Sequence, residues 1–372
     1  MWLCPRMKIT TNRFFDRTGL KEAPFETGLA TGFVDQCPLQ KPTDCLARPE
    51  LANSLGIGNI VFKIENDRLG LTSFKALGGA YAIIRTLVER FETETGRKFS
   101  RTDFQGSEFR NLSARTVFTA ATDGNHGLSV AAGARVVGAK AVIFVHERVP
   151  DYRVQRLKER GADVRVVAGV FDDAVAEASR QAKAKGWILV ADTSDDPADA
   201  LPGLVLEGYT VLADEMVTQS NETPTHIFLQ AGVGGLAAAC IARWQSLTPL
   251  PSIIIVEPEE APALFASAQT GELTSVPEND AGEMEMLECY RPSALAWDVI
   301  LPVTKAFQTV SSREAKEAVT ELAIHNIATT PSGAAGFAGL REAAFDPKAR
   351  RRCGLNADSV VWIVISEGPA ET

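Results

Sequence analysis

Along the 372-residue chain, short runs of β-branched and aromatic residues alternate with longer stretches whose apolar residues return at helical spacing. The runs NIVFKI (59–64), RTVFTAA (115–121), KAVIFV (140–145), DVRVV (163–167), WILVA (187–191), THIFLQ (225–230), SIIIVE (252–257) and SVVWIVIS (359–366) read as buried strands. Ala- and Leu-rich segments of helix length separate most of them. Such alternation predicts an α/β fold with mainly parallel, twisted sheets and helices on both faces. The polar stretch 92–111 carries charge, Gly and Ser without a period and reads as a surface excursion and a boundary. Residues 270–295, interrupted by Pro277, Gly282 and Pro292, read as a long loop that either lines a site or merely connects.

Open sheets of this kind bind ligands where strands run into helices, so the junctions carry the information. In LGLTSFKALGGAY (69–81), Thr72 or Ser73 can cap a helix from about Phe74 to Arg90, which puts Lys75 in the first turn. The positive helix end disfavours a protonated amine there, so the spacing predicts a lowered pKa, as a Schiff-base lysine requires. A snorkelling surface lysine is the competing reading. In TAATDGNHGLSVAAGA (119–134), Gly124 and Gly127 permit close backbone approach, and Asn125 offers a donor and an acceptor; a plain helix-capping turn competes.

The third junction, IFLQAGVGGLAAACIA (227–242), places Gly232, Gly234 and Gly235 between strand and helix, where free N–H groups can cradle a phosphate. It lacks the Lys-Ser/Thr pair of a P-loop and the acidic residue of a dinucleotide fold, so a phosphate without a nucleotide fits better. LVADTSDD (189–196), TTPSGAAG (329–336) and WIVISEG (362–368) end apolar runs in hydroxyls or carboxylates. Singly each reads as a turn; together they match the loops of an enclosed cofactor.

Composition narrows the function classes. The chain is 45% hydrophobic and 23% charged, which is ordinary for a globular protein. A net charge of −9 with interspersed signs leaves no basic stripe for nucleic acid. Six cysteines without Cys-x-x-Cys spacing, and four histidines, argue against a disulfide scaffold or a metal centre and for a reducing, cytoplasmic setting. The start MWLCPRMKITTNRFF lacks the apolar core of a signal peptide, and no run approaches the roughly 18 apolar residues of a membrane span. A small-molecule substrate is expected, with neither nucleic acid nor membrane as a partner.

The KIE…SFKALGGAY block, TDGNHG and QAGVGG, in this order, resemble the fold type II pyridoxal phosphate enzymes, the tryptophan synthase β group, over about residues 63–368. Within that group, RLGLTSFKALGGAYA, ATDGNHG with Asp123 in place of the usual Ser, ADT (191–193), LEGY (206–209), QAGVG (230–234) and ISEG (365–368) resemble the diaminopropionate ammonia-lyases. The resemblance implies pyridoxal 5'-phosphate as cofactor, carried by Lys75 with Phe74 beside it. Lys75 would also act as base at Cα, with Asp123 and Asp192 as further carboxylates and Asp123 serving the D-enantiomer. Asn125 would bond the cofactor's phenolic oxygen, Gly232, Val233, Gly234, Gly235 and Leu236 its phosphate, and Ser366 or Ser332 its pyridine nitrogen. Gly78 and Gly79 would leave room for close packing beside the bound cofactor. A two-lobed enzyme is implied, with residues 1–111 and 183–372 as the cofactor-binding part and 112–182 as a small mobile part, assembled as a homodimer.

The implied reaction is α,β-elimination on a small amino acid, foremost 2,3-diaminopropionate giving pyruvate and ammonia. A β-replacement synthase, or an ammonia-lyase acting on serine, threonine or 3-hydroxyaspartate, is the alternative. Two departures from the lyase pattern bear on substrate: SDDPAD follows Asp-Thr, and EMLECYRPS stands in an expected substrate-facing loop. There Arg291 is either a solvated charge or a partner for a second substrate carboxylate.

Overall fold

The computed structural model describes residues 8–16, 23–35, 37, 40–122, 124–196, 199–279 and 282–369. Among these, the strands are β1 (Ile9–Thr11), β2 (Cys45–Ala47), β3 (Asn59–Ile64), β4 (Val117–Ala121), β5 (Lys140–His146), β6 (Asp163–Val167), β7 (Ile188–Leu189), β8 (His226–Gln230), β9 (Ser252–Pro258), β10 (Thr304–Val310) and β11 (Val360–Ile365). The larger sheet runs β1-β10-β9-β8-β11-β3-β2 and the smaller β6-β5-β4-β7. Only the edge pairs β1–β10 and β2–β3 are antiparallel; every other pair is parallel. The α/β architecture with two mainly parallel sheets is thus the observed one.

The inner strands β3, β8, β9 and β11 of the larger sheet are buried on both faces, which is why they read as continuous apolar runs. Ile227, Leu229, Ile253, Ile255 and Trp362 pack into one core with the helices Lys75–Thr95, Ala200–Gln219 and Gly235–Trp244. The alternate residues Phe228, Ile254, Val256 and Ile363 pack into a second core under the helix Pro331–Phe345. This period-2 partition is the pleat of the strand made visible in packing.

Each of the eight expected strands is present, trimmed at some ends; WILVA contributes only Ile188–Leu189. The seven-residue β10 was not legible, because Lys305, Gln308 and Thr309 dilute its apolar run and the apolar helix Ala294–Val303 enters it without a break. Strand β7 pairs with β4, so the smaller sheet takes a strand from beyond residue 182.

The polar excursion at 92–111 is more ordered than its composition suggests. The Lys75–Thr95 helix runs through its start, a 3-10 turn covers Arg101–Gln105, and Ser107–Arg115 is helical. Aromatic rings pin it: Phe99 lies 4.8 Å from Phe104 and 5.2 Å from Phe109, and Phe109 lies 6.1 Å from Phe91.

The glycines after Lys75 serve close packing. A Cβ on Gly78 would stand 2.4 Å from the Tyr209 ring and 2.7 Å from Val205 O, and one on Gly79 would stand 2.5 Å from Ser129 Oγ. They let the Lys75–Thr95 helix close onto the helices Ala200–Gln219 and Asn125–Val137.

Candidate active site

Segments that follow β3, β4, β7, β8 and β11 converge on one cleft. Its lysine is set by the turn leading to it. Phe74 N–H donates to Ser366 O at 3.1 Å, Lys75 N–H to Ser73 Oγ at 3.3 Å, and the Phe74 ring meets Tyr209 edge-on at 4.7 Å. Beneath the turn lies a buried ion cluster: Arg68 binds Glu65 Oε1 and Glu215 Oε2, each at 2.6 Å, and Lys63 Nζ binds Glu215 Oε2 at 2.6 Å. Burial opposes ionisation of Glu215, but Arg68 and Lys63 outweigh it and hold its carboxyl below the usual range.

Lys75 Nζ donates to Asp192 Oδ2 at 2.8 Å. Burial disfavours the ammonium, yet the Asp192 carboxylate outweighs it, and the amine is raised above its ordinary value. This corrects the expected depression: a full opposite charge in contact exceeds the roughly half charge of a helix terminus. Asp192 responds in kind, since burial is overcome by Lys75 and His126 and its carboxyl is held far below the usual range. His126 Nε2 lies 2.8 Å from Val190 O, and its Nδ1 lies 3.9 Å from Asp192 Oδ2.

Asn125 opens the helix after β4 and donates from Nδ2 to Glu367 Oε2 at 2.7 Å. Thr330 Oγ1 donates to Glu367 Oε1 at 2.6 Å, and burial lifts the Glu367 carboxyl above its ordinary value. Asp123 lies outside the described residues.

Gly232, Val233, Gly234, Gly235 and Leu236 form the cleft floor between β8 and the helix Gly235–Trp244. Gly234 has φ +102, and a Cβ there would stand 2.9 Å from Ile300 Cδ1; one on Gly232 would stand 2.9 Å from Cys289 Sγ. The first-turn amides of the helix Gly235–Trp244 have no intrahelical acceptor and face this floor.

Ser366 and Ser332 both line the cleft. Ser332 Oγ accepts from Met286 N–H at 3.2 Å, while Ser366 Oγ lies 2.9 Å from Gln230 Nε2. A wider mouth adjoins the cleft, with Arg153 and Arg156 on one wall and Glu283 and Glu285 on the other; Arg153 pairs with Glu285 across it. Arg291 turns away: it is 62% exposed and bound to Asp195 Oδ1 at 3.0 Å, so it is the solvated charge of the two readings.

Several lining residues fall outside the expected site residues. Glu367 and Tyr209 were within reach, since each stands in a quoted segment, ISEG and LEGY. Gln230 ends β8 immediately before the glycine loop and reads as an ordinary polar strand end. From the irregular segment 270–295, Met286, Leu287 and Cys289 line the cleft, which decides between its two readings.

An amine placed to meet a carbonyl, a glycine floor with a helix N-terminus for a dianionic phosphate, and hydroxyl and amide donors around the rim form a donor set that fits pyridoxal phosphate. A family model described as pyridoxal-phosphate dependent enzyme matches residues 37–367. The chain belongs to this family. Diaminopropionate ammonia-lyase of Escherichia coli (strain K12) is 31% identical over 386 aligned positions, covering 98% of this chain and 94% of the relative. The crystal structure of the Escherichia coli lyase in complex with an aminoacrylate-PLP azomethine reaction intermediate superposes with a TM-score of 0.85 at 30% identity, covering 97% of this chain and 93% of the other. The same lyase in complex with D-serine superposes with a TM-score of 0.82 at 29% identity, over 97% and 93% of the two chains.

This pyridoxal-phosphate dependent enzyme has, among its described residues, no helix long and apolar enough to cross a membrane. Nor do these residues include a group of three or more His, Cys, Asp or Glu placed to hold a metal ion.

Proposed function

We propose that the chain is an ammonia-lyase that carries out α,β-elimination on 2,3-diaminopropionate, D or L, to give pyruvate and ammonia. The observation that carries this reading is the contact of Lys75 Nζ with Asp192 Oδ2 at 2.8 Å in the cleft that also holds the glycine floor. When bound, pyridoxal phosphate supplies an electron sink for cleavage of the Cα–H bond.

The residues divide the remaining work. The amides of Gly232 to Leu236 anchor the phosphate, and Asn125, steadied by Glu367, donates to the phenolic oxygen. Ser366 offers a neutral hydroxyl to the ring nitrogen, which moderates electron withdrawal and suits elimination. The Lys75–Asp192 ion pair positions the amine, which must give up its extra proton to solvent before it can attack a carbonyl. The neutral Lys75 amine then removes the proton at Cα, and the Lys75 ammonium so formed returns a proton to the departing β-amine, which leaves as ammonia; the 2-aminoacrylate that remains takes up water after release and gives pyruvate and a second ammonia. Asp123 is assigned to the D-enantiomer on sequence resemblance alone. Closing of a small unit, residues 112–182 with β7 carried along by its pairing to β4, over the rest of the chain excludes water from the cleft. A cytoplasmic homodimer completes the proposal.

A panel of D- and L-diaminopropionate, serine, threonine and 3-hydroxyaspartate, assayed for 2-oxo acid without any added nucleophile, tests the reading. Release from diaminopropionate with the highest kcat/KM supports it. Product formed only when a thiol or amine is supplied would assign the chain to β-replacement instead.

A further inference from the structure

Gln230 is the last residue of β8, and Ser366 directly follows β11, the strand paired beside it. Both side chains are buried and both line the cleft. The Gln230 Nε2 group lies 2.9 Å from Val364 O, 3.2 Å from Gly333 O and 2.9 Å from Ser366 Oγ. Two of these neighbours are backbone carbonyls, which only accept, so the amide must turn its NH₂ end toward them. An amide nitrogen does not accept a hydrogen bond. Ser366 therefore cannot give its hydroxyl proton to Gln230, and the oxygen side of that hydroxyl is the side turned to the amide. The proton is left to point elsewhere, and the cleft is what Ser366 lines.

The other end of the same amide sharpens the point. Gln230 Oε1 is buried without a hydrogen-bond partner among the described residues. It lies against Gly336, where a Cβ would stand 2.8 Å from it. An unpartnered buried carbonyl costs stability, and an apolar side chain of similar shape would avoid that cost. The amide is thus explained by its donor end.

We infer that Gln230 is a positioning residue: it fixes the rotation of the Ser366 hydroxyl so that the O–H donates into the cleft, toward the pyridine nitrogen of the cofactor. This rests on the reading above that Ser366, and not Ser332, serves that nitrogen. The consequence is a ring nitrogen that accepts a hydrogen bond and stays unprotonated, because the group facing it is a donor that keeps its proton.

The test uses holoenzyme loaded with pyridoxal phosphate labelled with ¹⁵N in the ring, with the ring-nitrogen resonance followed across the range where the free cofactor titrates. The parent should show one pH-independent signal of a hydrogen-bonded, unprotonated pyridine; a pyridinium signal would overturn the inference without any variant. Ser366→Ala should move the signal toward that of a pyridine lacking a donor. Gln230→Met should move it in the same direction, and the double variant should move it no further than Ser366→Ala alone. A parent-like signal in Gln230→Met beside a shifted one in Ser366→Ala would remove the positioning role, whatever happens to the melting temperature. No shift in Ser366→Ala would instead overturn the placement of Ser366 at the ring. Where Gln230→Met does not fold, Gln230→Leu is read in the same way, and a pyridinium signal in the parent overturns the inference in either case.

Discussion

Lys75 and Asp192 are held in contact at 2.8 Å, although 117 residues separate them in the chain. One opens a helix beside the larger sheet, and the other lies just past β7, the short strand that closes the smaller sheet. The pair therefore spans the two sheets, and the chemistry of either group depends on both being in place.

Replacing Lys75 by Ala removes the amine that would carry the cofactor. Borohydride treatment of the parent followed by peptide mass spectrometry should place the cofactor on Lys75. The variant should show no covalent label and a turnover lower by at least about 10²–10⁴-fold, the usual contribution of a positioned proton-transfer group. Undiminished 2-oxo acid release by the variant would refute the assignment.

Asp192→Asn removes the carboxylate that raises the Lys75 pKa. Because that raised value keeps the amine protonated as pH rises, the variant should hold more neutral amine at any given pH. The midpoint of cofactor incorporation against pH, followed by absorbance, should move to lower pH while turnover falls. A midpoint that stays put would show that the ion pair does not control the lysine.

Gly79→Ala sets a Cβ 2.5 Å from Ser129 Oγ and 2.9 Å from Ser129 Cβ. The expected cost is that of overpacking, about 1–3 kcal/mol, seen as a lower melting temperature. The cofactor dissociation constant of the folded variant should stay near that of the parent. Lost cofactor affinity with an unchanged melting temperature would return this glycine to the cofactor's surroundings.

Glu257, on β9, caps the helix Ala263–Thr270: Oε1 accepts from Leu264 N–H at 2.7 Å and Oε2 from Phe265 N–H at 2.6 Å. Burial pushes its carboxyl up to about 8 from an ordinary 4.5. The folded state then binds this proton more tightly than the unfolded chain. Its contribution to stability is full below the unfolded value of 4.5 and declines as pH rises toward about 8. Glu257→Gln cannot titrate, so chemical denaturation from acid to alkaline pH should show a flatter stability profile in the variant. It should also show an overall loss of about 1–3 kcal/mol, because the amide offers one acceptor to two N–H donors. Parallel profiles in the two proteins would contradict the shift.

Much of this protein was legible in order of residues alone. Two-face burial writes the central strands as unbroken apolar runs, so NIVFKI, THIFLQ and SIIIVE announce parallel sheet without help from the fold. The site motifs are local too: Lys75 at a helix start, Asn125 at another and a glycine loop before a third each draw their geometry from a few consecutive residues.

What stayed hidden depends on partners distant in sequence. The direction of the Lys75 shift was misjudged, because a helix end is visible in the sequence while a carboxylate arriving from residue 192 is not. Strand β10 exists because its edge pairs with β9, not because its own run is apolar. Gly78 and Gly79 face helices that only tertiary packing brings against them, and Gln230 meets Ser366 only because β8 and β11 lie side by side. The sequence determined which groups are present and the short turns that carry them. The tertiary structure decided which charge each group faces and which way each hydrogen points, because both are set by contacts that no local pattern encodes.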